Sequence, residues 1–204
     1  MDKHIKLANY LLDIKAFHFS FDPLYTWASG IKSPVYTDNR KIISFPLVRN
    51  FVMDFFIDKI QENFPQTQYI AGVATGAIPY ASIIADRLNL PLVYVRPKAK
   101  DHGLKSQVEG FIPQEANVLV IEDLISTAGS SMKAVEALRA EGAKVAGLLA
   151  VFTYGLDSAK QNIAKTKITV QTLTDFETVL EQARKRNYLT QQQVDFILQW
   201  RKQL

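Results

Sequence analysis

Short runs of apolar residues alternate with segments of helical spacing through the middle of the chain. The apolar runs have the length of buried strands, and they cover residues 69–74, 92–96, 118–123 and 145–154. Between them, residues 77–89 and 130–143 place apolar side chains three and four positions apart, as in an amphipathic helix. In the second helix Ser130 is placed to cap the start and Gly142 to end it. This alternation predicts a parallel sheet flanked by helices.

The two ends of the chain show different patterns. Residues 1–17 have the periodicity of an amphipathic packing helix. Residues 17–40 are rich in aromatic and turn residues and have no helical period, so we expect irregular or short antiparallel structure there. Further helices are expected from Pro46 onward and over residues 176–185 and 190–203, with Thr190 and Gln193 forming a capping box.

Composition limits the classes of function. With 204 residues, 48% hydrophobic and 22% charged, the chain has the composition of one globular domain, and we expect residues 1–204 to form it. The sequence contains no cysteine, which excludes disulfides, a thiolate nucleophile and cysteine-ligated metal sites. No apolar run approaches the roughly 18 residues that span a bilayer, and the first segment does not resemble a signal peptide. We therefore expect a cytoplasmic protein.

Positive charge is concentrated in one polar segment. The net charge is +4, and the basic and imidazole side chains cluster at Arg96, Lys98, Lys100, His102 and Lys105. Such a cluster suits a multiply charged small ligand at least as well as a nucleic acid. A solvated surface loop is the simpler interpretation, but the segment follows a predicted strand, where sheets of this kind bind ligands.

Two carboxylates and a loop of small residues follow the third apolar run. Glu122 and Asp123 come after four apolar residues, so we expect them where the strand reaches the carboxyl edge of the sheet. Ribose hydroxyls or a hydrated Mg²⁺ can interact with such a pair. The small residues 127–131 let backbone N–H groups bind a phosphate. The segment lacks a Walker A lysine and a Rossmann GxGxxG, so it indicates a sugar phosphate site; the alternative is a core strand ending in solvated acids.

The segment VLVIEDLISTAGS, residues 118–130, resembles the phosphoribosyl pyrophosphate (PRPP) signature of the type I phosphoribosyltransferases. The chain is similar to the orotate phosphoribosyltransferases among them, because WASGIKSPVYTDNR, VATGAIPYAS and RPKAKDHGLKSQVEG match further segments of theirs in order. The resemblance covers about residues 17–154. It implies the α/β fold of that family, a parallel β-sheet flanked by helices, with a small N-terminal hood formed mostly by residues 17–45.

The resemblance also implies an activity. The expected reaction transfers the 5-phosphoribosyl group of PRPP to orotate and gives orotidine 5′-monophosphate and pyrophosphate, in pyrimidine (UMP) biosynthesis. Lys100 is the principal expected catalytic residue, on a lid that closes over the leaving pyrophosphate, and Asp123 stabilises the ribose as it gains positive charge. The expected PRPP-binding residues are Arg96, Lys100, His102, Glu122, Asp123, Leu124, Ile125, Ser126, Thr127, Ala128, Gly129 and Ser130. The expected orotate-binding residues are Ser126, Lys32 and Tyr36.

Cofactor and partners follow from the same resemblance. The expected cofactor is Mg²⁺, held mainly by PRPP and water, with no metal ligand assigned to the protein. The expected assembly is a homodimer whose lid is shared between subunits. Neither a nucleic acid nor a membrane is expected as a partner.

Several positions depart from the family pattern. Family members often carry lysine where this chain has Ala28, Gly76 and Pro97, and an arginine near Tyr154. Because each of those cations would contact orotate or phosphate, the departures concern recognition of the base more than the PRPP signature. Two alternatives remain: a phosphoribosyltransferase for a purine or another base, and a PRPP-sensing transcription regulator of the same fold.

Overall fold

A computed structural model describes residues 2–27, 30–98 and 106–204. Its strands are β1 (Phe17–Phe19), β2 (Tyr25–Thr26), β3 (Lys32–Ser33), β4 (Val35–Thr37), β5 (Tyr69–Val73), β6 (Leu92–Val95), β7 (Val108–Glu109), β8 (Asn117–Ile125), β9 (Lys144–Thr153) and β10 (Val170–Asp175). Its α-helices are α1 (Lys3–Asp13), α2 (Pro46–Asn63), α3 (Ile78–Leu88), α4 (Gly129–Ala140), α5 (Asp157–Thr166), α6 (Phe176–Lys185) and α7 (Gln191–Arg201). A 3-10 helix, Asn39–Ser44, joins β4 to α2.

The central sheet has the strand order β10–β9–β8–β5–β6–β7. All neighbouring strands are parallel except the pair β6 and β7, which is antiparallel. The predicted parallel sheet is therefore confirmed, with two strands added that were not predicted: the parallel strand β10 at one edge and the antiparallel strand β7 at the other. The sequence pattern does not predict β7, because two residues after a polar segment are too short to show alternation.

The predicted strands and the helices between them lie close to their expected positions because their apolar runs form the core. Val118, Leu119, Val120 and Ile121 of β8 are all completely buried. Parallel strands covered on both faces by helices have this continuous apolar character. The hydrophobic pattern therefore identified the central strands correctly.

Strand β8 extends further than its apolar run. Its pairing with β5 ends at Ile121, opposite Gly72, whereas its pairing with β9 continues to Ile125, opposite Thr153. The expectation that the strand ends at the two carboxylates is wrong, because the ladder with β9 holds them in extended backbone. The end of the pairing with β5 leaves space beside Glu122.

Helix α4 begins at Gly129, and the expected capping by Ser130 is also wrong. The cap position is Ala128, whose left-handed backbone (φ 62°) turns the chain directly into the helix, so Ser130 lies in its first turn. At the other end Gly142 has φ 88°, and its N–H donates to the Arg139 carbonyl. Gly142 thus follows the helix as predicted, in a conformation that favours glycine.

Residues 17–37 form two short antiparallel pairs, β1 with β4 and β2 with β3, as expected. The ring of Phe17 packs against the rings of Phe152 on β9 and Phe176 on α6. This packing fixes the first strand of the segment against the end of the sheet. We call residues 17–45 the hood; its boundaries as a unit stay a prediction.

The chain termini complete the layer beside β10. Helix α1 packs against α6 and β10, and α7 follows α6 with the predicted capping box. The Thr190 N–H donates to Gln193 Oε1 at 2.9 Å, and the Gln193 N–H donates to Thr190 Oγ1 at 3.2 Å. The pattern does not predict α5, because its sequence DSAKQNIAKT has few apolar residues. Within the described ranges, no helix is both long enough and apolar enough to cross a membrane.

Candidate active site

A cavity of about 670 Å³ lies at the carboxyl ends of β5 and β8. Ligands of open α/β sheets bind at this edge. Its lining comes from the hood, from the end of β5 and the residues after it, and from residues 118–130, the segment that resembles the PRPP signature. The lining residues are Thr37, Asp38, Asn39, Arg40, Ile43, Val73, Ala74, Thr75, Gly76, Pro79, Glu122, Asp123, Leu124, Ser126 and Ser130. Three sequence segments, far apart along the chain, therefore meet at one site.

Glu122 is the more buried of the two carboxylates, with 4% of its surface exposed. Ser131 Oγ donates to Glu122 Oε2 at 2.8 Å, and the Asp123 N–H donates to Glu122 Oε1 at 3.0 Å. Burial, followed by the charge of Asp123, raises the pKa of Glu122 well above its ordinary value. Both oxygens of Glu122 thus accept a bond from the protein itself.

Asp123 is less buried and packs closely against Gly76. A Cβ atom at position 76 would fall well inside van der Waals contact with the Asp123 carboxylate. Burial raises the pKa of Asp123, and the nearby Arg40 guanidinium lowers it in part. Gly76 is therefore required for this position of the carboxylate.

The polar triplet at the end of the hood faces the two carboxylates. Arg40 Nε donates to Asp38 Oδ1 at 2.6 Å, and Asn39 Nδ2 donates to the Asp123 carbonyl at 2.7 Å. Asp38, Glu122 and Asp123 together give this cavity an acidic lining. Arg40 is the one cationic side chain among its described lining residues. A cation or a group rich in hydroxyls fits such a lining.

The end of β8 and the loop after it present some of the predicted PRPP-binding residues to the cavity and bury others. Leu124, Ser126 and Ser130 line the cavity, as Glu122 and Asp123 do. Ile125 and Ala128 are buried at 1% and 2% exposure, and the Thr127 carbonyl accepts a bond from Asn162 Nδ2. Backbone N–H groups at the start of α4, next to Ser130, provide a favourable place for a phosphate.

A second cavity of about 310 Å³ adjoins the first and has a basic lining. The two cavities share Val73, Ala74 and Ser130. Arg96 and Lys133 line the second, and among the described residues no carboxylate does. Arg96 Nη1 also lies 3.4 Å from Glu109 Oε1 on β7. The predicted Lys100 and His102 lie outside the described residues.

A third cavity of about 170 Å³ adjoins the first on the hood side and is mainly aromatic. It is lined by Trp27, Tyr36, Thr37, Leu124, Ser126 and Tyr154. Tyr154 Oη donates to Thr37 Oγ1 at 2.8 Å, and burial raises the pKa of Tyr154 above its ordinary value. The structure thus brings together Ser126 and Tyr36, two of the three residues predicted to bind orotate.

Lys32, the third of those residues, does not line any of these cavities. Its Nζ donates to Thr26 Oγ1 at 2.7 Å across the β2–β3 pair, and the side chain is exposed. The sequence pattern also did not identify Asp38, Asn39 or Lys133 as residues of the site. Its only signal for the first two was a polar triplet, DNR, directly after a hood strand.

Comparison with known proteins identifies the family of the chain. The chain matches the family described as the phosphoribosyl transferase domain over residues 49–183. It is 47% identical over 197 residues to an orotate phosphoribosyltransferase of Listeria innocua, covering 97% of this chain and 94% of that protein. The chain belongs to the orotate phosphoribosyltransferase family.

Solved structures of similar proteins extend this family relationship to the fold. The crystal structure of orotate phosphoribosyltransferase from Aeropyrum pernix matches with a TM-score of 0.79 and 30% identity, over 90% of this chain and 99% of that one. The structure of Leishmania donovani UMP synthase matches with a TM-score of 0.81 and 28% identity, over 98% of this chain. The match spans 42% of the Leishmania chain, which is the longer protein. The expected type I phosphoribosyltransferase fold is thereby confirmed.

Proposed function

We propose that the protein is an orotate phosphoribosyltransferase, which makes orotidine 5′-monophosphate and pyrophosphate from orotate and PRPP in pyrimidine (UMP) biosynthesis. The observation that carries the proposal is the order of the three cavities: the acidic one lies between the aromatic one and the basic one. PRPP reacts at a ribose carbon that must reach both the base and the departing pyrophosphate. This order matches such a reaction.

The acidic cavity suits the ribose. Asp123 carries the less buried carboxylate and is the group that we assign to the ribose hydroxyls. In the reaction a bond forms between a ring nitrogen of orotate and the anomeric carbon, and the bond from that carbon to pyrophosphate breaks, with its electron pair leaving on pyrophosphate. The proton of the nitrogen passes to solvent. Asp123 would stabilise the positive charge that grows on the ribose.

Glu122 has a supporting role in this proposal. Its oxygens are already engaged by Ser131 Oγ and the Asp123 N–H. It therefore fixes the backbone at Asp123 and the first turn of α4 to each other, and contacts the ribose diol from a more buried position. The sequence-based assignment of Glu122 to the diol stays a prediction.

The basic cavity suits the departing pyrophosphate. Negative charge develops on that group as the bond breaks, and the guanidinium of Arg96 is placed where it could stabilise this charge. The family resemblance adds Lys100 and His102. Lys100→Ala should lower turnover strongly and leave the fold intact; near-normal turnover would remove Lys100 from the mechanism.

The aromatic cavity suits a flat base. Trp27, Tyr36 and Tyr154 provide aromatic surface, and Ser126 provides a hydroxyl, next to the cavity assigned to the ribose. Orotate also carries a carboxylate, for which the described lining offers hydroxyl groups rather than a cation. A base panel of orotate, uracil, hypoxanthine, xanthine and adenine decides between orotate and the alternative of a purine substrate.

We propose that Mg²⁺ is the cofactor. No metal ligand is assigned to the protein; the acidic lining of Asp38, Glu122 and Asp123 would favour a hydrated cation in this cavity. Within the described ranges no group of three or more His, Cys, Asp or Glu side chains is arranged to hold a metal ion. Oxygens of PRPP and water would provide its coordination. When bound, the ion would neutralise phosphate charge and promote departure of pyrophosphate.

We infer that the protein acts in the cytoplasm as a homodimer, with each lid completing the neighbouring site. The support for the dimer is the family resemblance of residues 96–110. The alternative of a PRPP-sensing regulator predicts DNA binding, which a gel-shift assay over a salt series would reveal. Turnover of orotate with no salt-sensitive DNA binding would exclude that alternative.

A further inference from the structure

Asn39, in the hood, contacts strand β8 through its buried side chain. Only 1% of its surface is exposed, and it lies between β4 and α2 in the 3-10 helix. Its Nδ2 donates to the backbone carbonyl of Asp123 at 2.7 Å, across 84 positions of sequence. The bond therefore holds the backbone of Asp123, whose carboxylate lines the acidic cavity.

Asn39 is itself held from the other side. Tyr80 Oη on α3 donates to the Asn39 backbone carbonyl at 2.6 Å, and Tyr80 is 1% exposed. Hood, helix α3 and strand β8 are thus linked through one residue. The link lies beside the position where the pairing of β8 with β5 has ended, at Ile121. No β5 residue pairs with Asp123 in the described sheet, so Asn39 takes the place of a neighbouring strand.

The amide of Asn39 is only half satisfied. Its Oδ1 is buried and has no hydrogen-bond partner among the described residues. Among the described residues, the Asn39 amide is held through its Nδ2 donor, which bonds the Asp123 carbonyl.

We propose that Asn39 is a positioning residue that sets the place of the Asp123 carboxylate for the reaction. The inference rests on the proposed function, because it assumes that Asp123 acts on the ribose of PRPP. The bond holds the Asp123 carbonyl, and Gly76 receives the Asp123 carboxylate on the other side. Between these two contacts the side chain has a fixed direction toward the cavity. Loss of the first contact lets the carboxylate move relative to the ribose.

The test compares Asn39→Ala with a control of matched chemistry. Thr174 is also 1% exposed and also donates to a backbone carbonyl, that of His4 at 3.2 Å, on the outer strand β10, two strands away from β8. Thr174→Val removes that bond with little change of shape. The measurements are kcat, KM for orotate and Tm, for both variants and the unsubstituted protein, with PRPP and Mg²⁺ present.

We expect Asn39→Ala to lower kcat about tenfold to a hundredfold, since small displacements of a reacting group have effects of this size. KM for orotate should stay near its original value, because the carboxylate acts on the ribose. Thr174→Val should lower Tm but leave kcat unchanged. If Asn39→Ala does not fold, Asn39→Ser is measured in its place, because the hydroxyl is too short to reach the Asp123 carbonyl.

Two outcomes would overturn the inference. Asn39 variants with normal kcat and a lowered Tm would show a structural contact only. A loss of kcat equal in Thr174→Val and Asn39→Ala would show that any loosening of the fold has the same effect. If the unsubstituted protein does not turn over orotate at all, the proposed function fails first.

Discussion

The site depends on how closely the loop after β5 approaches the side chain of Asp123. Gly76 offers no Cβ, and the carboxylate occupies the space that a Cβ would need. The loop after β5 therefore leaves space for the Asp123 carboxylate and has no cationic side chain at position 76.

Gly76→Ala should displace the Asp123 carboxylate and lower kcat about tenfold to a hundredfold. The free energy of unfolding should fall by about 1–3 kcal/mol, as for other overpacked sites. The control is Gly72→Ala, whose new Cβ would meet Ala81 Cβ at 2.9 Å within the core. It should cost stability but leave kcat of the folded protein near normal. Equal activity of both variants would contradict the role given to Gly76.

Glu122 makes the stability of the free protein depend on pH. Its folded pKa is raised by burial, so the folded state binds its proton more tightly than the unfolded chain does. Stability is therefore highest when Glu122 is protonated and falls as pH rises from the ordinary glutamate pKa, about 4.3, through the raised folded value.

Glu122→Gln should remove this dependence. Ser131 Oγ can reverse its bond and accept from the new amide, so the packing is kept. We expect the variant to have a higher Tm than the unsubstituted protein at neutral pH, with the difference shrinking as pH is lowered toward about 4. A Tm difference that stays constant across this pH range would contradict the raised pKa.

At the scale of elements, the C-terminal helix supports the hood. Trp200 Nε1 on α7 donates to the Lys32 carbonyl on β3 at 2.8 Å. The Trp200 ring packs edge-on against Trp27, with ring centroids 5.5 Å apart, and Trp27 lines the aromatic cavity. Helix α7 thereby fixes one wall of the cavity assigned to orotate.

Trp200→Phe should loosen that wall. It removes the indole donor, at a cost of about 1 kcal/mol in stability, and should raise KM for orotate several-fold with a smaller change in KM for PRPP. Thr190→Ala is the matched control, because it removes the capping box of the same helix for about 1 kcal/mol without touching the hood. A similar rise of KM in both variants would show that α7 acts only through general stability.

Hydrophobic pattern predicted the elements that form the core and missed those that depend on tertiary contacts. The runs that became β5, β8 and β9 are buried on both faces over most of their length, and β6 is buried at Val93 and Val95; burial is what the pattern reports. Strand β7 is only two residues long, and helix α5 has few apolar residues. Likewise Ser130 has the chemistry of a helix cap, but the left-handed turn at Ala128 decides where α4 begins.

The candidate site was predictable where one continuous segment carries the chemistry. Glu122, Asp123, Ser126 and Ser130 were identified from a single run and do line the cavity. Asn39 and Lys133 were not, because their relevance comes from elements that meet only after folding. Lys32 has a suitable side chain, but the β2–β3 pair directs it to Thr26.

At the scale of the whole molecule, the proposed shared lid predicts that two inactive variants can restore each other. Lys100→Ala and Asp123→Asn should each be nearly inactive. In a mixed dimer, one site would combine an intact Lys100 from one subunit with an intact Asp123 from the other. An equal mixture, after exchange of subunits, should regain about a quarter of the unsubstituted activity, since half of the dimers are mixed and each has one intact site. A mixture that stays inactive although its subunits exchange would place each lid over its own site.

The central claim is that the protein transfers the 5-phosphoribosyl group of PRPP to orotate at the site formed by the three adjoining cavities. The most direct measurement is the ultraviolet absorbance of orotate after mixing with the protein, PRPP and Mg²⁺, with product chromatography for uracil, hypoxanthine, xanthine and adenine. We predict a rapid decrease of the orotate signal that requires PRPP and stops when Mg²⁺ is chelated. No decrease for orotate, with turnover of another base, would contradict the assignment of the aromatic cavity.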